Sequence, residues 1–183
     1  TICKENDIRW WLRAGTLLGA ARHKGFIPCD DDMDISMFDE DYRKLEKILV
    51  EMDDEDYFYQ CIKSDPEHVN VFGKFRKKND PVFSSDQRSQ YFKYQGVGLD
   101  VFSLEKSNRF AAHMAKFLYL NLIHPTQYIK NRFWRHFAIK LVQFLNFGLL
   151  VPFCRLLGLI NHKGQYRYKL GSGFYQCGFS RED

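Results

Sequence analysis

Ile27-Pro28-Cys29-Asp30-Asp31-Asp32-Met33-Asp34-Ile35-Ser36, followed by Met37-Phe38, is the stretch whose reading decides the fold. Asp30, Asp31, Asp32 and Asp34 repel one another, and such a cluster calls for a cation or a solvated turn. Apolar residues hem it in, with Phe26 and Ile27 before it and Ile35, Met37 and Phe38 after it. Asp32, Asp34 and Ser36 alternate with Met33, Ile35 and Met37. On an extended strand this puts the two carboxylates on one face and the apolar set on the other. Two carboxylates on one strand face suit a hard divalent cation such as Mg²⁺, which takes oxygen ligands. A plain solvated turn is the simplest alternative. A calcium loop is a second one, since Asp30, Asp32 and Asp34 have the opening spacing of an EF-hand. Ile35 and Asp41 stand where that loop wants Gly and Glu, so it is set aside.

Working outward, Ile8 to Ala14 reads as a strand ending at Gly15. Thr16 to Lys24 reads as a short helix, capped by Thr16 and stopped by Gly25. Asp39-Glu40-Asp41 places negative charge at a helix start, and Tyr42, Leu45, Ile48, Leu49 and Met52 continue that helix at helical spacing. Tyr57 to Ile62, Val69 to Arg76 and Val97 to Leu104 read as further strands. Arg109 to His124, Arg132 to Leu150 and Pro152 to Leu159 read as helices. Strands interleaved with helices, then a helical end, predict an α/β (α+β) fold: a mixed β-sheet with helices packed on it.

The chain of 183 residues is 45% hydrophobic, enough for one compact unit. The expected division is a catalytic core at 1–104 and a mostly helical C-terminal part at 105–183 packed on it. Five scattered cysteines without a C-x-x-C pair indicate neither a zinc knuckle nor a disulfide framework, and reduced thiols in a cytoplasmic protein are expected. The first hundred residues carry 15 Lys and Arg against 20 Asp and Glu, while residues 101–183 carry 12 against 3. A basic C-terminal part suits an anionic partner.

Asp100, in Gly98-Leu99-Asp100-Val101-Phe102, is a third carboxylate able to complete a cation site. Gly15-Thr16 opens a helix in a way that suits phosphate. The run Ala14-Gly15-Thr16-Leu17-Leu18-Gly19-Ala20-Ala21-Arg22-His23-Lys24-Gly25-Phe26, through Asp30-Asp31-Asp32-Met33-Asp34-Ile35, resembles the signature of the LicD/fukutin family, of nucleotidyltransferase fold. Phe72-Gly73-Lys74-Phe75-Arg76-Lys77-Lys78-Asn79 and Gly98-Leu99-Asp100-Val101-Phe102 resemble its two later motifs. The resemblance covers roughly residues 8–104. Cys29 stands where the family usually has Trp, and Ser103 where Pro is common.

The resemblance implies a phosphotransferase that moves an alcohol phosphate, phosphocholine-like, from a CDP-linked donor to a glycan hydroxyl and releases CMP. By position it makes Asp32, Asp34 and Asp100 the catalytic and metal residues, with Mg²⁺ (or Mn²⁺) as cofactor. Gly15 and Thr16 match the superfamily's Gly-Ser/Thr element. Arg22, His23, Lys24, Lys74 and Arg76 are candidate phosphate contacts, Lys74 and Arg76 foremost because Phe75 between them points away. The expected partners are a CDP-alcohol donor and a glycan or lipid-linked glycan acceptor. A nucleotidyltransferase leaving NMP on its acceptor, or a non-catalytic regulatory protein, are the rival readings.

Phe137 to Ile160 reads as a core helix pair. The alternative is a peripheral helix on anionic lipid, with Arg132, Arg135, Lys140 and Arg155 toward headgroups. His162 to Lys169 is read as a surface loop. No nucleic-acid partner is expected.

Overall fold

The structure is a computed structural model and describes residues 1–28, 30, 32–81, 89–106, 117, 119–150, 152–153, 156 and 166–168. A short helix α1 (Ile2–Glu5) leads to β1 (Trp11–Leu12), α2 (Ala14–His23), β2 (Met33–Phe38), α3 (Asp39–Glu51), β3 (Tyr57–Gln60), β4 (Gly73–Pro81) and β5 (Gly96–Lys106). Beyond these come a π-helical turn at Tyr119–Ile123, a 3₁₀ turn at His124–Tyr128, and α4 (Arg132–Gln143), which continues as a π-helical stretch through Leu150. A last strand, β6, spans Tyr166–Tyr168.

The sheet runs β1-β2-β5-β4-β3, with β2 and β5 parallel and the other neighbours antiparallel. This is the mixed sheet with packed helices that the sequence predicts. β6 pairs with Leu104 to Lys106 of β5, on the side opposite β2. The expected loop at His162 to Lys169 therefore contains a strand, and its remaining residues lie outside those described.

One face of the sheet is apolar. Ile35 and Met37 of β2, Val101 of β5 and Tyr59 of β3 pack against Tyr42, Leu45 and Leu49 of α3, with Ile8 and Cys61 closing the cluster. α3 presents these residues because they recur at three- and four-residue spacing, and its acidic first turn suits the helix dipole. Each large side chain so buried contributes about 1.5–3 kcal/mol. Gly73 belongs to this packing: a Cβ there would lie 2.0 Å from the Tyr59 hydroxyl.

Several local expectations are corrected. The first strand is only Trp11–Leu12, because the chain turns at Ala14, which takes a positive φ of 45° and begins α2. Arg13, not Thr16, is the residue before α2, and Lys24, not Gly25, takes the left-handed conformation that ends it. The strand expected at Val69 to Arg76 starts at Gly73 and runs on to Pro81. Val69 instead joins a second cluster with Ile123, Ile139 and Val142, which seats α4 on the segment before β4. Most of the expected helix Arg109 to His124, and most of Pro152 to Leu159, lie outside the described residues.

Candidate active site

The opposite face of the sheet carries the charged residues, and strand register gathers them. Asp34 of β2 stands beside Asp100 of β5. Asp100 stands beside Lys74 of β4, and Lys74 beside Gln60 of β3. Residues paired in register share a face and sit on strands about 4.8 Å apart. Arg13 extends the row beyond β1, its backbone N–H donating to the Asp34 carbonyl at 3.1 Å. Phe75, flanked by Lys74 and Arg76, packs on the apolar side as expected.

Asp32 lies just before β2 rather than within it, and it is exposed. It still acts on the row by charge, since its carboxylate raises the proton affinity of both Asp34 and Asp100. Asp34 has its pKa pushed up to about 6, first by burial, then by repulsion from Asp100 and Asp32, with Arg13 and Lys74 opposing. Burial also raises Asp100, against the pull of the Lys74 ammonium, which lies 2.6 Å from one of its oxygens and 2.8 Å from the other. Burial and neighbouring carboxylates thus raise both groups even though Lys74 and Arg13 stand near them.

The register of Asp34 with Asp100, two carboxylates on one face, is the observation by which a divalent cation would fit. Among the described residues no three His, Cys, Asp or Glu side chains form a group that could hold a metal ion, so the structure does not bring Asp32, Asp34 and Asp100 together as the expected three-carboxylate set. Mg²⁺ does not need one, because it binds through one or two carboxylates and keeps waters and substrate phosphates for its remaining positions. Asp34 and Asp100 supply two carboxylates, and Asp32 acts on both by charge.

Thr16 is tied directly to this row: its hydroxyl accepts the Asp34 backbone N–H at 2.9 Å. The first turn of α2 is thus pinned against the start of β2. Gly15 is in close contact with Asp30, whose Oδ2 would lie 2.6 Å from any Cβ at position 15. Cys29 and Asp31 lie outside the described residues. An open cleft of about 270 Å³ adjoins Thr16, lined by Leu12, Ala20, Lys24, Gly25 and Phe26 as well. Lys24 is thus placed at a cleft beside the row, whereas Arg22 and His23 are exposed on the last turn of α2.

Arg76 shares the face but is engaged otherwise. Its Nε donates to Gln60 Oε1 at 2.6 Å, and a terminal N–H donates to the Gly96 carbonyl at 2.9 Å. Gln60 in turn donates to Asp65 at 2.8 Å, and Asp65 also accepts the Lys93 and Glu67 backbone N–H groups. Sequence reasoning missed Arg13, which is buried with its guanidinium 3.6 Å from the centre of the Phe102 ring. It also missed Gln60 and Asp65, both fully buried. The signal for Arg13 was its place one residue before the Ala14-Gly15-Thr16 run, but its neighbour Asp34 is apparent only from strand pairing.

Comparison with known proteins gives the family of the chain. The profile of LicD/FKTN/FKRP, nucleotidyltransferase domain, matches residues 7–152. An uncharacterised protein of Rickettsia prowazekii is 47% identical over 101 residues, covering 49% of this chain and 37% of the relative. The lipopolysaccharide cholinephosphotransferase LicD of Haemophilus influenzae is 41% identical over 56 residues, covering 31% of this chain and 21% of the relative. The ribitol 5-phosphate transferase FKRP of Homo sapiens is 46% identical over 41 residues, covering 22% of this chain and 8% of the relative. The chain spans well under half the length of each of these relatives. Matched over most of its length, and with both later motifs on neighbouring strands of one charged face, the chain belongs to the LicD/FKTN/FKRP family of nucleotidyltransferase domains.

Proposed function

We propose that this domain is a Mg²⁺-dependent phosphotransferase that moves an alcohol phosphate from a CDP-linked donor to a glycan hydroxyl and releases CMP. The observation that carries the reading is the register of Asp34 with Asp100, two mutually repelling carboxylates next to the helix that begins at Ala14-Gly15-Thr16. The names of the Haemophilus and human relatives, a cholinephosphotransferase and a ribitol 5-phosphate transferase, support transfer of an alcohol phosphate.

When bound, the cation offsets charge on the donor's diphosphate and on departing CMP. Asp34 and Asp100 would hold it, with Asp32 acting on both by charge. The acceptor oxygen forms a bond to the phosphorus bearing the alcohol, and the bond from that phosphorus to the CMP phosphate oxygen breaks. The hydroxyl proton passes to water. Such transfer needs mainly positioning and electrostatics. Gly15 and Thr16 bring the start of α2 against the donor, and Lys74 meets the phosphate from the Asp100 side. Lys24 and the apolar wall of the adjoining cleft receive the remainder of the donor. Arg22 and His23 give the rim of α2 positive character, and Arg76 keeps Gln60 in place beneath Lys74.

The test is a thermal-shift series with CDP-choline, CDP-ribitol, CDP-glycerol, CTP, UTP and ATP, each with Mg²⁺ and with EDTA. A ligand that binds only the native state raises the melting temperature by mass action. A Mg²⁺-dependent rise with one CDP-alcohol, absent in Asp34→Asn, is expected. A rise with a nucleoside triphosphate alone moves the assignment to nucleotidyl transfer.

A further inference from the structure

Helix α4 is anchored on one side and bare on the other. Arg135, Ile139, Val142 and Gln143 are buried. Gln143 donates to the His68 carbonyl at 2.9 Å and to the Pro66 carbonyl at 3.2 Å, and Arg135 pairs with Glu67 at 3.3 Å. Asn131 caps the helix, accepting the Phe133 and Trp134 backbone N–H groups. The element is therefore a fixed, capped helix held firmly along its inner face.

Its outer face is aromatic. Phe133 is 71% exposed, Trp134 60%, Phe137 56%, Leu141 47% and Phe144 64%. At about 100° per residue, these five fall within a single arc of roughly a quarter to a third of the helix circumference. Phe133, Trp134 and Phe137 already stand edge to face, with ring centres 5.4 Å and 6.2 Å apart. Along one border of the arc lie Arg132, His136 and Lys140, all exposed. Arg135, expected among the outward cations, is buried instead, and Arg155 lies outside the described residues. Among the described residues, the first helix of the expected core pair is thus covered on one side, and most of the second lies outside them.

We infer that this face of α4 docks on the surface of an anionic lipid bilayer. Large apolar rings flanked by cations are what an interfacial helix presents: the rings enter the acyl boundary and the cations reach the headgroups. Trp is favoured at that depth. Charge commits the face to an anionic occupant, for exposed Arg132 and Lys140 border it and α4 contains neither Asp nor Glu. A second copy is the poorer occupant, because a self-complementary contact would bring the same cationic borders together. Among the described residues no helix is long and apolar enough to cross a membrane, so the contact is peripheral.

The test is flotation of the full chain with vesicles and no nucleotide present, so that it is independent of the catalytic reading. Neutral phosphatidylcholine vesicles are compared with vesicles containing about 30% phosphatidylglycerol, where the two cations Arg132 and Lys140 near the surface predict binding on the order of thirtyfold tighter. Raising salt to about 0.5 M should remove most of that preference. Phe133→Ser with Phe137→Ser, at exposed positions, should abolish flotation with the melting temperature unchanged. Lys140→Glu should weaken binding to anionic vesicles alone. No flotation with anionic vesicles, or flotation that the double variant retains, overturns the inference. A concentration-dependent dimer lost in the double variant, without flotation, assigns the face to a second copy.

Discussion

Lys74 spans both carboxylate oxygens of Asp100, at 2.6 Å and 2.8 Å, where Asp100 is almost fully buried. The lysine is the counter-charge in direct contact with Asp100, while Arg13 acts on Asp34 by charge. Lys74→Met should lower the stability of the metal-free protein by about 2–4 kcal/mol, because it strands a buried carboxylate. Chemical unfolding measures this. Mg²⁺ should narrow the gap between the variant and the wild type, since it supplies the missing charge, and Lys74→Met with Asp100→Asn should recover stability without metal. A gap that Mg²⁺ leaves untouched would place the cation away from Asp100.

Asp34 gives the pH dependence its sign. Its folded pKa of about 6 stands above the ordinary value of 3.8. The folded protein therefore holds a proton that the unfolded chain releases. The stabilisation from that proton is fully present below the unfolded value and is lost as pH rises through about 6. Metal-free wild type should lose about 1–2 kcal/mol relative to Asp34→Asn across this interval, after allowance for partial exposure. Unfolding in EDTA at a series of pH values reads it. Mg²⁺ competes with the same proton, so its stabilising effect should weaken as pH falls through that range.

The Thr16 hydroxyl accepts the Asp34 backbone N–H at 2.9 Å. Thr16→Val keeps the shape but leaves that partly buried donor unpaired, at a cost of about 1–3 kcal/mol. Thr16→Ser should retain most of the stability. A melting comparison of the two variants separates the hydrogen bond from packing, and equal losses would contradict the assigned role.

Arg135 joins α4 to the segment before β4, pairing with Glu67 and lying 3.3 Å from the centre of the Tyr91 ring. Arg135→Met should destabilise by about 3 kcal/mol, since Glu67 is left largely buried without its partner. Adding Glu67→Gln should return part of the loss, and denaturant midpoints of the single and double variants measure the coupling.

Much of this site was legible because two of its strands obey simple alternation. Ile35 and Met37 bury while Asp34 keeps the other face, and Lys74 and Arg76 flank an inward Phe75. Helix α3 was equally plain, its apolar spacing unbroken from Tyr42 to Leu49. Val69 and Val71 misled, because both are buried outside any strand, Val69 in packing with Ile139 and Val142 of α4. Lys77, Lys78, Asn79 and Asp80 lack strand propensity yet lie in β4, where pairing with neighbours overrides local preference. Arg13, Gln60 and Asp65 were hidden because their value comes from register and burial, which link residues far apart in sequence. Ser36 shows the same limit: it alternates with the apolar set as an outward residue should, yet it is fully buried.

The most direct measurement is chromatographic detection of the products formed from CDP-choline, CDP-ribitol and CDP-glycerol with Mg²⁺, comparing the wild type with Asp34→Asn and Asp100→Asn. The account predicts CMP from one of these donors, dependent on Mg²⁺ and lost in both variants while each remains folded. CMP formation that survives either substitution, or pyrophosphate released from a nucleoside triphosphate with no CMP from any CDP-alcohol, would contradict it.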